Sequence, residues 1–160
     1  MNEMLLVWVG RRAPGPWEEI ARGYRERLAR MTRFSEIRLR PATGRAGDVG
    51  RALGIEAAAI ANVIRENDLL VVLDETGQRF TSKELAGWLS RHRSLGRVVL
   101  VVGSDLGLDQ AVRDRARLLL SLSPMTLSHG LARVVVLEQL YRSLDMLAGG
   151  GYHRGGDAES

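Results

Sequence analysis

The sequence predicts a single α/β domain in which a parallel sheet is covered by helices on both faces. Short runs that are apolar at nearly every position alternate along the chain with segments whose apolar residues recur at helical spacing. Strands that are apolar throughout are typical of parallel sheets buried on both faces. The 160 residues suit one domain with a sizeable core, and no repeat or linker divides them. We therefore expect one domain over residues 1–160, with 149–160 as a flexible C-terminal tail.

Five segments are predicted as strands because they are short and apolar and end at turn-forming residues. The second alternates apolar and polar residues, whereas the other four are almost wholly apolar. Gly10 and Gly103 stop the first and fourth, and the turn signal Asp74–Gly77 ends the third. In chain order they are Met4–Val9, Ser35–Leu39, Leu69–Leu73, Val98–Val102 and Leu118–Leu122.

Five segments are predicted as helices, and their first residues support the assignment. Pro16 suits the first turn of the first helix, and Asp48 and Asp109 can cap the second and fourth. Thr81 and Glu84 fit a capping box at the start of the third. The helices are expected from Pro16 to Met31, Asp48 to about Arg65, Thr81 through Leu89, Asp109 to about Arg117, and Gly130 to Leu147.

Composition excludes several kinds of chemistry. The chain has no Cys, which excludes disulfides, thiolate zinc sites and a Cys nucleophile. None of its three His lies at metal-ligand spacing to another, so we expect no metal. The apolar runs have the length of strands and the start lacks the basic region of a signal peptide, which predicts a cytoplasmic protein with no membrane partner.

The chain is basic, with a net charge of +4 and a pI of about 10.3. Lys83 is the only Lys, and every other basic residue is Arg. Codon bias in a GC-rich genome explains such a preference, whereas attraction to polyanions would make it functional. Both explanations can hold together, and the charge modestly favours RNA as a partner.

Ligands of open α/β sheets bind beyond the carboxyl ends of the strands. Gly103 and Gly107 bracket a turn in which the backbone can approach a ligand closely, although plain strand-to-helix turns also use such glycines. The sequence GSDLG is neither a GxGxxG fingerprint nor a P-loop. Dinucleotide and ATP binding are therefore disfavoured.

The segment Ser121–Gly130 is the stronger candidate for a ligand site. Small polar residues alternate there with Leu122, Met125 and Leu127, a composition that offers backbone groups to a flat polar ligand and apolar side chains to sandwich it. His129 and Arg133 lie four residues apart, so we expect both to face one pocket, although a lone His is more often structural.

The last predicted helix has an apolar arc wider than one core stripe requires. A central helix packed on two sides would explain the arc. A helix that packs on the sheet and also on a second copy of itself would explain it equally, with Glu138, Tyr141 and Arg142 available for polar contacts in that interface.

Four stretches together carry a resemblance to a known family. They are VWVG, LLVVLDETGQ, VVLVVGSDLGL, and LSLSPMTLSHGLARVVVLEQLYR followed by YHR. In this order they resemble the RlmH family of SPOUT-class RNA methyltransferases over nearly the whole chain. The resemblance implies methylation of N3 of a pseudouridine in 23S ribosomal RNA of the assembled ribosome, with S-adenosylmethionine as cofactor. It also implies a homodimer with a C-terminal trefoil knot, which periodicity alone does not indicate.

The resemblance also assigns site residues. The implied cofactor-binding positions are Leu73, Gly103, Leu122, Ser123, Pro124, Met125, Thr126 and Leu127. The implied catalytic and substrate positions are His129, Arg133, Tyr152, His153 and Arg154. The family usually has GGxxGL where this chain has GSDLGL, so Ser104 is acceptable only if that position does not need a positive φ.

These positions suggest a mechanism as a hypothesis. The imide N3 of pseudouridine carries a proton, so a base, or a cation that stabilises the imidate, would help. We expect His129 to be the base, with His153 as its rival. Arg133 or Arg154 would stabilise the developing negative charge. The tail Tyr152–Arg154 could reach the site from the partner chain.

Three alternatives remain open at this point. The chain could be a non-catalytic ribosome- or RNA-binding protein that keeps the fold. This alternative predicts weak cofactor binding, with Ser104 as its cause. It could be an unrelated α/β enzyme for small molecules, which predicts no salt-sensitive affinity for RNA. It could also apply the same chemistry to tRNA.

Overall fold

Five strands and five helices alternate along the part of the chain that the computed structural model describes, residues 2–12, 15–42 and 47–151. The strands are β1 (Glu3–Val9), β2 (Arg33–Leu39), β3 (Leu69–Arg79), β4 (Val98–Val102) and β5 (Leu118–Ser121). The helices are α1 (Pro16–Met31), α2 (Val49–Val63), α3 (Ser82–His92), α4 (Gln110–Asp114) and α5 (His129–Leu147). All strand pairs are parallel, in the order β2-β1-β4-β3-β5.

Helices cover both faces of this sheet, which confirms the predicted fold class. Successive strand residues point to opposite faces, so Met4 and Leu6 of β1 join one core cluster while Leu5 and Val7 join the other. The first cluster lies beneath α1, α3 and α5. The second lies beneath α2 and α4.

Four of the five predicted helix starts are confirmed, whereas α5 begins at His129 and not at the predicted Gly130. Asp48 and Asp109 accept hydrogen bonds from the backbone of α2 and α4. Thr81 and Glu84 form the reciprocal pair of a capping box at α3. Pro16 occupies the first turn of α1. These contacts join residues a few positions apart, which is why the local sequence predicts them.

Some predicted boundaries were wrong. β3 does not end at Leu73 but continues to Arg79, with an irregularity at which Leu73 and Gln78 both pair with Leu120 of β5. A Cβ on Gly77 would lie 2.6 Å from the carbonyl oxygen of Leu119, so glycine permits this close crossing. Conversely, α4 ends at Asp114 rather than near Arg117, and β5 ends at Ser121 rather than Leu122.

Helix α5 packs on α1, on α3 and on the sheet within the same chain. Packing on more than one side accounts for its wide apolar arc. Its C-terminus is closed by a Schellman motif, in which Gly149 has φ 74° and the Gly150 N–H donates to the Asp145 carbonyl at 2.8 Å. Within the described residues, no helix combines the length and apolar character needed to cross a membrane.

Candidate functional site

A cavity of about 500 Å³ lies at the carboxyl ends of β4 and β5 and beside the irregular middle part of β3, and we call it the main cavity. Its walls are formed by residues 73–76 of β3, by the turn after β4, and by the segment that leads from β5 into α5. Parallel strands bring their carboxyl ends to one edge of the sheet, so residues distant in sequence meet there. This is the location that the sequence predicts for a ligand.

The turn after β4 forms one wall. A Cβ on Gly103 would lie 2.5 Å from the Gly107 carbonyl oxygen and 2.7 Å from Cγ of Leu108, so the turn itself requires glycine there. Gly107 has φ 90°, a left-handed conformation that favours glycine. No non-glycine residue in the described ranges has a positive φ. Position 104 therefore does not need a positive φ, which is the condition under which a serine is acceptable there. Its hydroxyl donates a 2.7 Å hydrogen bond to Oε1 of the buried Glu56.

The middle part of β3 carries two carboxylates at the cavity, those of Asp74 and Glu75. Asp74 forms a 2.8 Å ion pair with Arg113 and accepts hydrogen bonds from the Thr76 N–H and hydroxyl. Burial would raise the pKa of Asp74, but these hydrogen bonds and the charge of Arg113 lower it overall. Glu75 Oε2 accepts a 2.8 Å hydrogen bond from the Thr126 hydroxyl, which connects this part of β3 to the opposite wall.

The segment after β5 forms that opposite wall. Ser123 organises it, because its carbonyl accepts from the Ser121 hydroxyl at 2.9 Å and its own hydroxyl accepts from the Met125 N–H at 3.0 Å. Met125 is 74% exposed, which leaves a large apolar side chain beside the opening. The predicted cofactor positions that line the main cavity are Leu73, Gly103, Leu122, Ser123, Met125, Thr126 and Leu127. Pro124 is not among the lining residues.

His129 is the first residue of α5 and lines the main cavity as well. Its Nδ1 lies 2.8 Å from Oδ1 of Asp105. Its ring stacks on that of Trp8, with the centroids 6.3 Å apart and the planes 17° apart. A Cβ on Gly10 would lie 2.6 Å from Cδ2 and 2.9 Å from Nε2 of His129, so Gly10 provides the space for this ring.

The prediction that Arg133 shares a pocket with His129 was wrong. Arg133 is 4% exposed, and its guanidinium donates to Glu36 at 3.0 Å and to Glu18 at 2.8 Å. Burial alone would lower the pKa of Arg133, but the two carboxylates raise it overall. Arg133 lines a second cavity, of about 1000 Å³, beside β2 and α1. The two residues meet instead at Trp8, since the guanidinium carbon of Arg133 lies 4.3 Å from its ring centroid.

The remaining predicted residues, Tyr152, His153 and Arg154, lie outside the described part of the chain. Sequence reasoning missed Asp105, Trp8 and Gly10 as the neighbours of His129. Trp8 and Gly10 stand in the VWVG stretch and Asp105 in the GSDLG turn, but no local pattern links any of them to His129. Across residues 2–12, 15–42 and 47–151, no cluster of three or more His, Asp or Glu is arranged to hold a metal ion.

Comparison with known proteins supplies independent findings. The family model described as "Predicted SPOUT methyltransferase" matches residues 2–153. The chain is 41% identical over 150 residues to "Ribosomal RNA large subunit methyltransferase H" of Gloeobacter violaceus, covering 94% of this chain and 97% of the relative. It is 42% identical over 158 residues to the protein of the same name from Methylobacterium nodulans, covering 95% and 98% respectively.

A solved structure resembles the fold. It is described as "Crystal Structure of Probable Methyltransferase from Bordetella pertussis Tohama I". The TM-score is 0.52 at 15% identity, and the match covers 89% of this chain and 95% of the other. At that identity the likeness concerns the arrangement of strands and helices alone.

Proposed function

The chain belongs to the SPOUT methyltransferase family and, within it, to the RlmH family, and we propose that it methylates N3 of a pseudouridine in 23S ribosomal RNA of the assembled ribosome. The proposed cofactor is S-adenosylmethionine. One observation carries the proposal: a single cavity at the carboxyl edge of the sheet gathers seven of the eight predicted cofactor positions and His129. Ribosomal RNA as substrate implies a cytoplasmic protein.

The residues of the main cavity fit this cofactor. Its volume of about 500 Å³ lies within the range of small-molecule sites. Leu73, Leu122 and Leu127 offer apolar surfaces for a flat adenine, and the carboxylate of Glu75 offers negative charge to a sulfonium. When bound, S-adenosylmethionine supplies an electrophilic methyl group on a sulfur that leaves as a neutral thioether.

The task left to the protein is to align the acceptor and free the lone pair of N3. We assign the removal of the N3 proton to His129, because it is the titratable imidazole that lines the main cavity. His153 remains the rival base. Arg154 is our candidate for stabilising the imidate, since the guanidinium of Arg133 is already paired with Glu18 and Glu36. Arg133 supports the site through Trp8 instead.

Further features of the proposal concern assembly. We propose a homodimer with a trefoil knot at its C-terminal part, in which Tyr152–Arg154 close over the site of the partner chain. The basic surface would supply affinity for RNA through phosphate contacts. Residues 2–12, 15–42 and 47–151 form one α/β fold. Recognition by this fold would rest on shape and phosphate contacts, so a structured target such as the whole ribosome suits it.

The experiment is transfer of labelled methyl from S-adenosylmethionine to ribosomes that lack the modification. Whole ribosomes, free large subunits and bulk tRNA are compared side by side. We expect incorporation only into whole ribosomes, at one pseudouridine, and a strong loss of turnover in His129→Ala at saturating substrate. Incorporation into tRNA alone would overturn the substrate assignment. Unchanged turnover in His129→Ala would remove His129 from the mechanism, and no incorporation by folded dimeric protein would favour a non-catalytic RNA-binding role.

A further inference from the structure

The imidazole of His129 is held on three sides by residues from two other segments. Asp105, in the turn after β4, contacts Nδ1 at 2.8 Å. Trp8, near the end of β1, has its ring nearly parallel to the imidazole, with the centroids 6.3 Å apart. Gly10 lies against the Cδ2–Nε2 edge, where any Cβ would overlap the ring. A ring constrained in this way has one orientation relative to the main cavity.

The contact with Asp105 also determines where the proton lies. The hydrogen bond from His129 is the main cause that lowers the pKa of Asp105, and the backbone N–H of His129 lowers it further. An ionised carboxylate only accepts hydrogen bonds. Nδ1 must therefore be the donor, and in the neutral imidazole Nε2 then carries the lone pair. Among the described residues, Nε2 has no hydrogen-bond partner.

A purely structural role for Asp105 predicts something different. His129 is the first residue of α5, so a carboxylate beside it can stabilise the positive end of the helix. Loss of such a contact would lower the free energy of unfolding. It would leave both the tautomer of a correctly folded His129 and the turnover per folded molecule unchanged.

We propose that Asp105 is a positioning residue that keeps the proton of His129 on Nδ1, so that the lone pair of Nε2 is available to the substrate. The inference rests on the proposed function for its catalytic consequence. In that step the N3–H bond of the pseudouridine breaks, its electron pair stays on N3, and the proton moves to Nε2. The resulting imidazolium is stabilised by the carboxylate of Asp105.

The test reads the tautomer directly. Protein labelled with ¹⁵N-histidine is examined by long-range ¹H–¹⁵N correlation at slightly alkaline pH, with signals assigned through His92→Asn and His129→Gln. We expect the Nδ1–H form for His129 in the wild type and a shift toward the Nε2–H form in Asp105→Ala. His92 is an internal reference, because its Nδ1 lies 2.7 Å from the Trp88 carbonyl oxygen, which can only accept.

Turnover is measured on the same samples. In Asp105→Ala we expect kcat to fall about 10- to 100-fold, as for the loss of partners that orient a functional imidazole, with the KM for S-adenosylmethionine nearly unchanged. Asp105→Asn, which can present its amide to Nδ1, should give a mixture of tautomers and an intermediate kcat. Asp109→Ala is the matched control, because it removes the cap of α4 four residues away and leaves His129 untouched.

The outcomes separate the two proposals. An Nε2–H form in the wild type, or an unchanged tautomer in Asp105→Ala, would overturn the positioning role even if the wild type methylates ribosomes. An unchanged kcat in Asp105→Ala would overturn its catalytic consequence. A wild type that shows the expected tautomers but methylates no RNA would overturn the proposed function and leave the Asp105–His129 geometry supported.

Discussion

The hydroxyl of Ser104 donates a 2.7 Å hydrogen bond to the carboxylate of Glu56, which is 2% exposed. The other oxygen of Glu56 accepts the Ala42 N–H at 2.9 Å. The residue that departs from the glycine usual in the RlmH family therefore satisfies a buried acceptor on α2. Through Glu56 it also links the turn at the main cavity to the segment that follows β2.

We predict that Ser104→Ala lowers the free energy of unfolding by about 1–3 kcal/mol, because it leaves an oxygen of Glu56 buried without its donor. The measurement is urea denaturation of Ser104→Ala, Glu56→Gln and the double variant. A double-mutant cycle should give a coupling energy well above zero. Additive effects of the two single substitutions would show that the two side chains do not interact.

Gly10→Ala tests the space beneath His129. The new Cβ would lie 2.6 Å from Cδ2 of His129 and 2.6 Å from Cζ3 of Trp8, so the stacked rings must move. If His129 is the base, a displacement of this size is expected to lower kcat about 100-fold. Binding of S-adenosylmethionine, measured by calorimetry, should change little.

Gly23→Ala is the matched control for that variant. Gly23 lies within α1, and its added Cβ would meet no atom within 4 Å. Alanine should raise the stability of the helix by about 0.5–1 kcal/mol and leave turnover unchanged. Wild-type turnover in Gly10→Ala would show that the ring position of His129 does not matter to the reaction.

Arg133→Met should destabilise the fold by about 1–3 kcal/mol, because it removes the more buried of two arginine partners of Glu36, whose side chain is 8% exposed. Arg25 contacts the same two carboxylates but is 27% exposed, so Arg25→Met should cost much less. Chemical denaturation gives both values. Equal losses of stability in the two variants would mean that the burial of an arginine does not determine how much its ion pairs contribute here.

The ion pair between Asp68 and Arg97 predicts a pH dependence of stability. Burial would raise the pKa of Asp68, but the hydrogen bonds and charge of Arg97 and the Arg65 N–H lower it below 3.8 overall. A depressed folded-state pKa stabilises the fold above the unfolded value, and that stabilisation is lost as the pH falls through the folded-state pKa. Asp68→Asn should therefore destabilise the protein near neutral pH and much less in strong acid. The denaturation midpoints of both proteins are measured near neutral pH and in strong acid. A difference between variant and wild type that is the same at both pH values would contradict the prediction.

The sequence predicted the features that short stretches determine. Apolar runs gave the five strands, and Asp48, Thr81 and Asp109 marked helix starts, because these signals extend over a few residues. Contacts between distant segments were not predictable in this way. Asp105 and His129 are 24 positions apart, and Arg133 and Glu36 are 97 apart, so no periodicity connects them. The extension of β3 to Arg79 was missed for a related reason, since its polar end is held by pairing with β5.

The last prediction concerns the direction of the C-terminal tail. Residues 149–160 are predicted from the sequence to be a flexible tail, but Gly149 and Gly150 belong to the Schellman motif that ends α5. A Cβ on Gly150 would overlap the carboxylate of Asp145, so that side chain would have to rotate away, whereas one on Gly151 would meet no atom within 4 Å. If the position of the Asp145 side chain beside this turn directs Tyr152–Arg154 to a site, Gly150→Ala should reduce kcat/KM for ribosomes and leave cofactor affinity unchanged.

Gly151→Ala is the matched control and should behave as the wild type, because nothing opposes its side chain. Gly149→Ala should cost about 1–2 kcal/mol, since its φ of 74° is left-handed. Methyl transfer and the free energy of unfolding are measured on all three variants. A loss of stability can then be distinguished from a misdirected tail in a folded protein. The opposite pattern would be reduced methyl transfer in Gly151→Ala and normal methyl transfer in Gly150→Ala. It would mean that the reaction requires backbone flexibility at Gly151 and not a fixed direction of the chain after α5.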